Sequence, residues 1–255
     1  MQGVPPEIGD PVKIVRLKSR IYVNYLTTKS NQDMTQLETI QIDTAPNPTV
    51  SVIWLHGLGA DGNDFVPIAH ELNLKNCPGI RFIFPHAPTM PVTINGGYVM
   101  RAWYDILGTD LVRKEDEAGL RKSQLAIEQL IANEKARGVP ANRIFLAGFS
   151  QGCAMTLQTG LRYPEKLGGL LCLSGYVPIH TKLAAERSPA NQTTPIFMAH
   201  GSGDPVIPMF RAEQSRDLLQ SLGYAVEWHE YAMPHAVCPE EIDHIGDWLR
   251  KLLAV

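Results

Sequence analysis

Gly148-Phe149-Ser150-Gln151-Gly152 is the stretch on which the reading of this chain turns. An apolar run, Arg143-Ile-Phe-Leu-Ala147, precedes it and reads as a buried parallel strand. Gln151 to Arg162 reads as a helix. A G-x-S-x-G turn between strand and helix holds its serine in a strained backbone conformation and pushes the hydroxyl clear of the chain. Any Cβ at 148 or 152 would meet the neighbouring strand or helix, so glycine is required there. The helix N-terminus aims free N–H groups and its positive dipole end at whatever oxyanion forms beside that hydroxyl. An ordinary strand-to-helix turn fits the same five residues, so the rest of the chain must discriminate.

Outward from the turn, strands and helices alternate. Leu37–Ile42 alternates like an edge strand, and Val50–Leu55 is a near-continuous apolar strand. Asp64 to Leu72 reads as a helix capped by Asp61 or Asn63, and Ile80–Phe84 as a strand. Pro85 to Leu111 reads as a long irregular stretch, and loops of that length are usually functional. Glu115 to Arg137 is an amphipathic helix ended by Gly138 and Pro140. Strands follow at 167–174, 195–199 and 225–231, with helices at 209–222 and 239–253. The class is α/β with a mostly parallel sheet. Residues 34–255 form one domain, and residues 1–33 read as an extension, with a hairpin around Lys18-Ser-Arg20 and Met34 as a candidate start.

Composition narrows the functions. A net charge of −3 with no basic stripe argues against nucleic acid as a partner. No run approaches the roughly 18 apolar residues of a membrane span, and no signal-like N-terminus is present. Cys77, Cys153, Cys172 and Cys238 read as reduced thiols of a cytoplasmic protein. No H-x-H or H-E-x-x-H occurs, so no metal is expected. Gly57, Gly59 and Gly62 fit a dinucleotide fingerprint, but no acid follows the next strand to hold a ribose, so no cofactor is expected.

A serine hydroxyl needs a base, and a pKa near neutrality points to histidine. Among the eight histidines only His235 lies after Ser150 in a loop between the last strand and the last helix. An acid must then come from a strand-end loop between the two: Glu165, Glu186 and Asp204 compete, and Asp204-Pro205 after the strand ending at His200 is the best placed. His56 and His200 read as structural supports of their glycine loops. The Leu58 and Gln151 backbone N–H groups would form the two halves of an oxyanion hole. Val92, Ile94, Val99 and Trp103 are candidates to cover the acyl side of the site.

His56-Gly-Leu-Gly-Ala-Asp-Gly62, Asn95-Gly-Gly-Tyr98, Arg101-Ala-Trp-Tyr-Asp105, Gly148–Gly152, His200-Gly-Ser-Gly-Asp204 and the Met233–Ile245 region together resemble the phospholipase/carboxylesterase family, which includes the acyl-protein thioesterases. The resemblance runs from about Met34 to the C-terminus. It implies an α/β-hydrolase fold with helices on both faces of the sheet and no large cap domain. It implies hydrolysis of short- to medium-chain carboxylic esters, with acyl-protein thioesterase or lysophospholipase activity as the alternative, and Ser150, Asp204, His235 and the Leu58 and Gln151 amides as the machinery. A small ester or acyl-thioester is the expected substrate, without membrane insertion, and a homodimer stays open. A non-catalytic binding protein on the same fold is the rival class, disfavoured because the three side chains are all present. Family members usually carry Met-Gly-His where this chain has Met233-Pro-His235, a substitution expected to stiffen or displace the loop.

Overall fold

The structure is a computed structural model that describes residues 36–108 and 115–254. The N-terminal extension and its expected hairpin lie outside the described residues.

The sheet is built on central strands buried on both faces. β1 (Thr39–Asp43), β2 (Val50–Leu55), β3 (Ile80–Pro85), β6 (Ile144–Phe149), β7 (Gly169–Leu173), β8 (Ile196–Gly201) and β9 (Val226–Tyr231) form one seven-stranded sheet in the order β1-β3-β2-β6-β7-β8-β9. Only β1 runs antiparallel, against β3, and it occupies an edge as its alternation predicts. Alternation divides each central strand between two cores. Ile53, Leu55, Ile144, Leu146, Ile196 and Met198 face one; Val52, Trp54, Phe145, Ala147, Phe197 and Ala199 face the other.

Helices cover both faces. α2 (Glu117–Ala136), α3 (Gln151–Gly160), α4 (His180–Glu186) and α5 (Met209–Ser221) pack on the first core. α1 (Ile68–Glu71) and α6 (Pro239–Leu253) cover the second, where Ile245, Trp248, Leu249 and Leu253 fall at helical spacing and are buried. α2 starts at Asp116, whose carboxylate accepts the Gly119 N–H at 2.9 Å. Ser51, the polar residue in fully buried β2, is satisfied by Glu134 of α2 at 2.5 Å. Arg250 of α6 donates to Leu72 O and Asn73 O, fastening the last helix to the end of α1.

Three expectations change. The helix read over 64–72 is α1 alone, because Pro67 has no N–H to extend it backward, and the preceding residues form i to i−3 turns such as Val66 N to Asn63 O. Part of the stretch read as irregular over 85–111 is a hairpin, β4 (Thr89–Val92) against β5 (Tyr98–Arg101), turned by Gly96 and Gly97 at positive φ. α4 went unread, its seven residues being too short to show periodicity. Among the described residues no separate cap domain covers the sheet, and no helix is long and apolar enough to cross a membrane.

One buried acid sets a pH dependence. Glu241, in the first turn of α6, is fully buried, and burial pushes its carboxyl up to about 8, offset only in part by the Cys238 N–H. Burial likewise pushes the enclosed His56 imidazole down to about 4. The two act in opposite senses between pH 4.5 and 6.5. Of the two, Glu241 alone differs from pH 6.5 to 8, holding a proton in the folded chain that the unfolded chain has lost, so its contribution to stability falls as pH rises. At one proton over that window the loss is about 2 kcal/mol, or roughly 4–8 °C in Tm. Thermal melts from pH 6.5 to 8 should show this decline in the wild type, and Glu241→Gln should flatten it.

Candidate active site

The 148–152 turn sits at the carboxyl end of β6, between β2 and β7. Ser150 has φ 57° and ψ −116°, a strained conformation for a residue with a Cβ. Its N–H donates to Leu173 O at 2.9 Å, and its carbonyl accepts the Ala154 N–H of α3 at 3.2 Å. A Cβ on Gly148 would overlap the Gly152 carbonyl, and one on Gly152 the Leu55 carbonyl.

Ser150, His235 and Asp204, distant in sequence, meet here. Ser150 Oγ lies 2.8 Å from His235 Nε2, and His235 Nδ1 lies 2.6 Å from Asp204 Oδ2. Asp204 Oδ1 accepts the N–H groups of Val206 and Ile207 at 2.8 and 2.9 Å. Burial works to raise the Asp204 carboxyl, but the bond to His235 and the Ile207 and Val206 N–H groups outweigh it and hold the group below its ordinary range. Asp204 therefore carries its charge against the imidazole at neutral pH, which makes Nδ1 the protonated nitrogen and leaves Nε2 to accept from Ser150. The other candidate acids are committed elsewhere: Glu186 pairs with Arg121 and Arg162, and Glu165 with Lys135.

The loop with Pro234 still delivers His235. Gly203 N–H donates to Met233 O at 3.1 Å and Ala236 N–H to Pro234 O at 2.9 Å, so the bonds that shape the loop do not call on an N–H at 234. The Phe149 ring packs on the imidazole at a centroid distance of 4.7 Å.

The 56–59 loop lies against the turn, an ideal Cβ on Gly57 coming 3.4 Å from Ser150 Cβ. Neither the Leu58 nor the Gln151 N–H donates to another backbone group among the described residues. Both histidines read as supports serve their loops. His56 donates from Nδ1 to Gly57 O at 2.7 Å and accepts the Ala87 N–H at Nε2, 3.0 Å. His200 Nε2 donates to Ile207 O at 2.8 Å.

Of the four candidates for the acyl side, Val92 and Trp103 are fully buried, Ile94 is 37% exposed in the turn after β4 and Val99 is 59% exposed in β5; none of the four borders the cavity beside His235. Trp103 ties loops together. Its indole N–H donates to His56 O at 2.9 Å, and its backbone N–H donates to Gln151 Oε1 at 2.8 Å. Gln151 Nε2 returns a bond to Tyr104 O at 2.8 Å, and Gly59 N–H donates to Arg101 O at 2.9 Å. The 101–105 segment thus ties the 56–59 loop to the turn. The Gln151 side chain was missed in the sequence, because glutamine in the variable position of G-x-S-x-G carries no local signal.

A mostly parallel sheet covered on both faces, with this turn at the end of a central strand, defines an α/β-hydrolase. The profile of the Phospholipase/Carboxylesterase family matches residues 36–253, and the chain belongs to that family. It is accordingly a hydrolase acting on ester or thioester bonds. Among its relatives, acyl-protein thioesterase 1 of Neurospora crassa is 42% identical over 214 residues, covering 80% of this chain and 87% of that protein. Acyl-protein thioesterase 1 of Yarrowia lipolytica is 41% identical over 217 residues, covering 83% and 96%. In solved structures, Arabidopsis thaliana SOBER1 superposes with a TM-score of 0.75 at 31% identity, covering 80% of this chain and 99% of that one. Zea mays acyl-protein thioesterase 2 gives 0.74 at 28%, covering 84% and 99%.

Proposed function

We propose that this chain is a serine hydrolase of acyl thioesters on proteins, working through an acyl-enzyme. The observation that carries the chemistry is the unbroken hydrogen-bonded series from Ser150 Oγ through the His235 imidazole to the Asp204 carboxylate. Relatives near 40% identity named acyl-protein thioesterases favour a thioester over the simple carboxylic ester that the sequence alone suggests. Ser150 Oγ attacks the acyl carbon as His235 Nε2 takes its proton. The Leu58 and Gln151 N–H groups hold the resulting oxyanion, with the dipole of α3 behind Gln151. His235 returns the proton to the leaving sulfur, then activates the water that frees the acid. Asp204 keeps the imidazole in the required tautomer.

The test is kcat/KM for S-acyl-cysteine peptides against O-acyl-serine peptides and p-nitrophenyl esters of the same chain length. Thioester peptides should lead; turnover of p-nitrophenyl esters alone would return the reading to a carboxylesterase. Trp103→Phe removes the donor to the buried His56 carbonyl. It should cost about 1–3 kcal/mol of stability. It should also lower kcat about ten-fold with KM little changed, since Leu58 loses its registration on the transition state. Denaturant melts and steady-state kinetics on one preparation check both.

A further inference from the structure

A cavity of about 530 Å³ opens beside His235. Phe65, Ile68, Phe149, Val237 and Ile242 give it an apolar body. Asp61, Asp64 and Glu71 stand in its wall, and no lysine or arginine does. Asp61 is engaged by Asn63, whereas Asp64 and Glu71 have no cationic partner among the described residues. The Asp64 carboxyl is held above its ordinary value, by desolvation first and then by the neighbouring Asp61. Neither Leu58 nor Gln151 borders this space.

His235 decides which part of a substrate belongs here. On the reading proposed above, the bond from Ser150 Oγ to the acyl carbon forms and the bond from that carbon to the leaving sulfur or oxygen breaks. The seryl proton passes through His235 Nε2 to the leaving atom, which must therefore lie within hydrogen-bond reach of the imidazole. The carbonyl oxygen points away, toward the Leu58 and Gln151 amides. Whatever the leaving atom is attached to extends into the space that His235 borders.

We infer that this cavity is the leaving-group subsite, and that it selects a peptide with lysine or arginine next to the acylated residue. Long basic side chains match such a wall: their methylene stems cover apolar surface while the charged end reaches a carboxylate. A compact quaternary ammonium would meet the acids without using the apolar body.

The experiment compares kcat/KM for short peptides carrying one S-octanoyl-cysteine flanked by lysine, glutamine or glutamate, with an O-octanoyl-serine series of the same flanks. In the wild type the lysine peptides should lead the glutamate peptides by about ten-fold at low salt. The ratio should shrink with added salt and in the Asp64→Asn, Glu71→Gln double variant. Equal kcat/KM across the flanks, or a ratio untouched by the double variant, overturns the inference. Ile242→Trp, which fills the cavity, should depress peptide substrates more than p-nitrophenyl octanoate. A loss that follows acyl length whatever the leaving group would place the acyl chain here and overturn it. Lysophosphatidylcholine outpacing the peptides in a manner dependent on Asp64 and Glu71 would give the site to an ammonium headgroup, also overturning it. Turnover of the serine series alone refutes the thioesterase reading and leaves the charge order measurable; turnover of neither series beside active cleavage of p-nitrophenyl octanoate refutes both.

Discussion

Ser150→Ala is expected to lower kcat on esters and thioesters by about 10⁴- to 10⁶-fold, with the fold unchanged. Ser150 Oγ is the hydroxyl bonded to His235 Nε2, so without it the imidazole has no nucleophile to activate. Alanine keeps the Cβ at the strained backbone position, and the bonds from Ser150 N–H to Leu173 O and from Ala154 N–H to the residue 150 carbonyl survive. Residual turnover would come from the oxyanion donors and binding acting on free water. Single-turnover assays, labelling by a fluorophosphonate probe and circular dichroism of the same sample make the comparison. A variant that is folded, unlabelled and inert supports the nucleophile; one retaining a tenth of wild-type activity removes Ser150 from that role.

Gly152→Ala should fail at the level of folding. The new Cβ would overlap Leu55 O and crowd His56 O, both backbone atoms. Leu55 belongs to β2, which pairs with β6 on one side and β3 on the other, so it cannot withdraw without breaking register in the middle of the sheet. A loss of more than about 4 kcal/mol follows, enough to drive most of the chain out of the soluble fraction or to lower Tm by 10 °C or more. Gly108→Ala is the control: nothing among the described residues lies within 4 Å of its added Cβ, and it should shift stability by less than about 0.5 kcal/mol. Urea melts of both variants distinguish a local clash from a general intolerance of alanine.

The central strands were legible because parallel strands buried on both faces read as near-continuous apolar runs, and β2, β6 and β8 are such runs. That Ser150, Asp204 and His235 meet was legible through chain order and position at strand ends, which the topology turns into proximity. The 89–101 hairpin was not, because Pro91 and the Gly96-Gly97 pair read as breakers. In a two-stranded ribbon a proline can face Val99 without breaking the pairing, and the glycines make the turn. The hydrogen bonds of Trp103 to His56 O and Gln151 Oε1 were not legible, because an aromatic in a loop reads the same whether it packs under the surface or meets a ligand. The cavity beside His235 was invisible for another reason: its walls come from residues 59–71, 149 and 235–242, which only the fold brings together.

The clamp at Trp103 also bears on how this chain can be recombined with its relatives. Residues 56–59, 101–105 and 148–152 exchange hydrogen bonds through the Trp103 indole, the Gln151 amide and the Gly59 N–H. They therefore behave as one inheritable block although long stretches of chain separate them. A chimera whose crossover falls between 62 and 101, or between 105 and 148, takes its indole from one parent and its receiving carbonyl or glutamine from the other. Crossovers placed after 160 leave the block whole, which makes the second half of the chain the part to shuffle when a library is meant to vary residues 235–242 of the cavity wall without loosening these three segments.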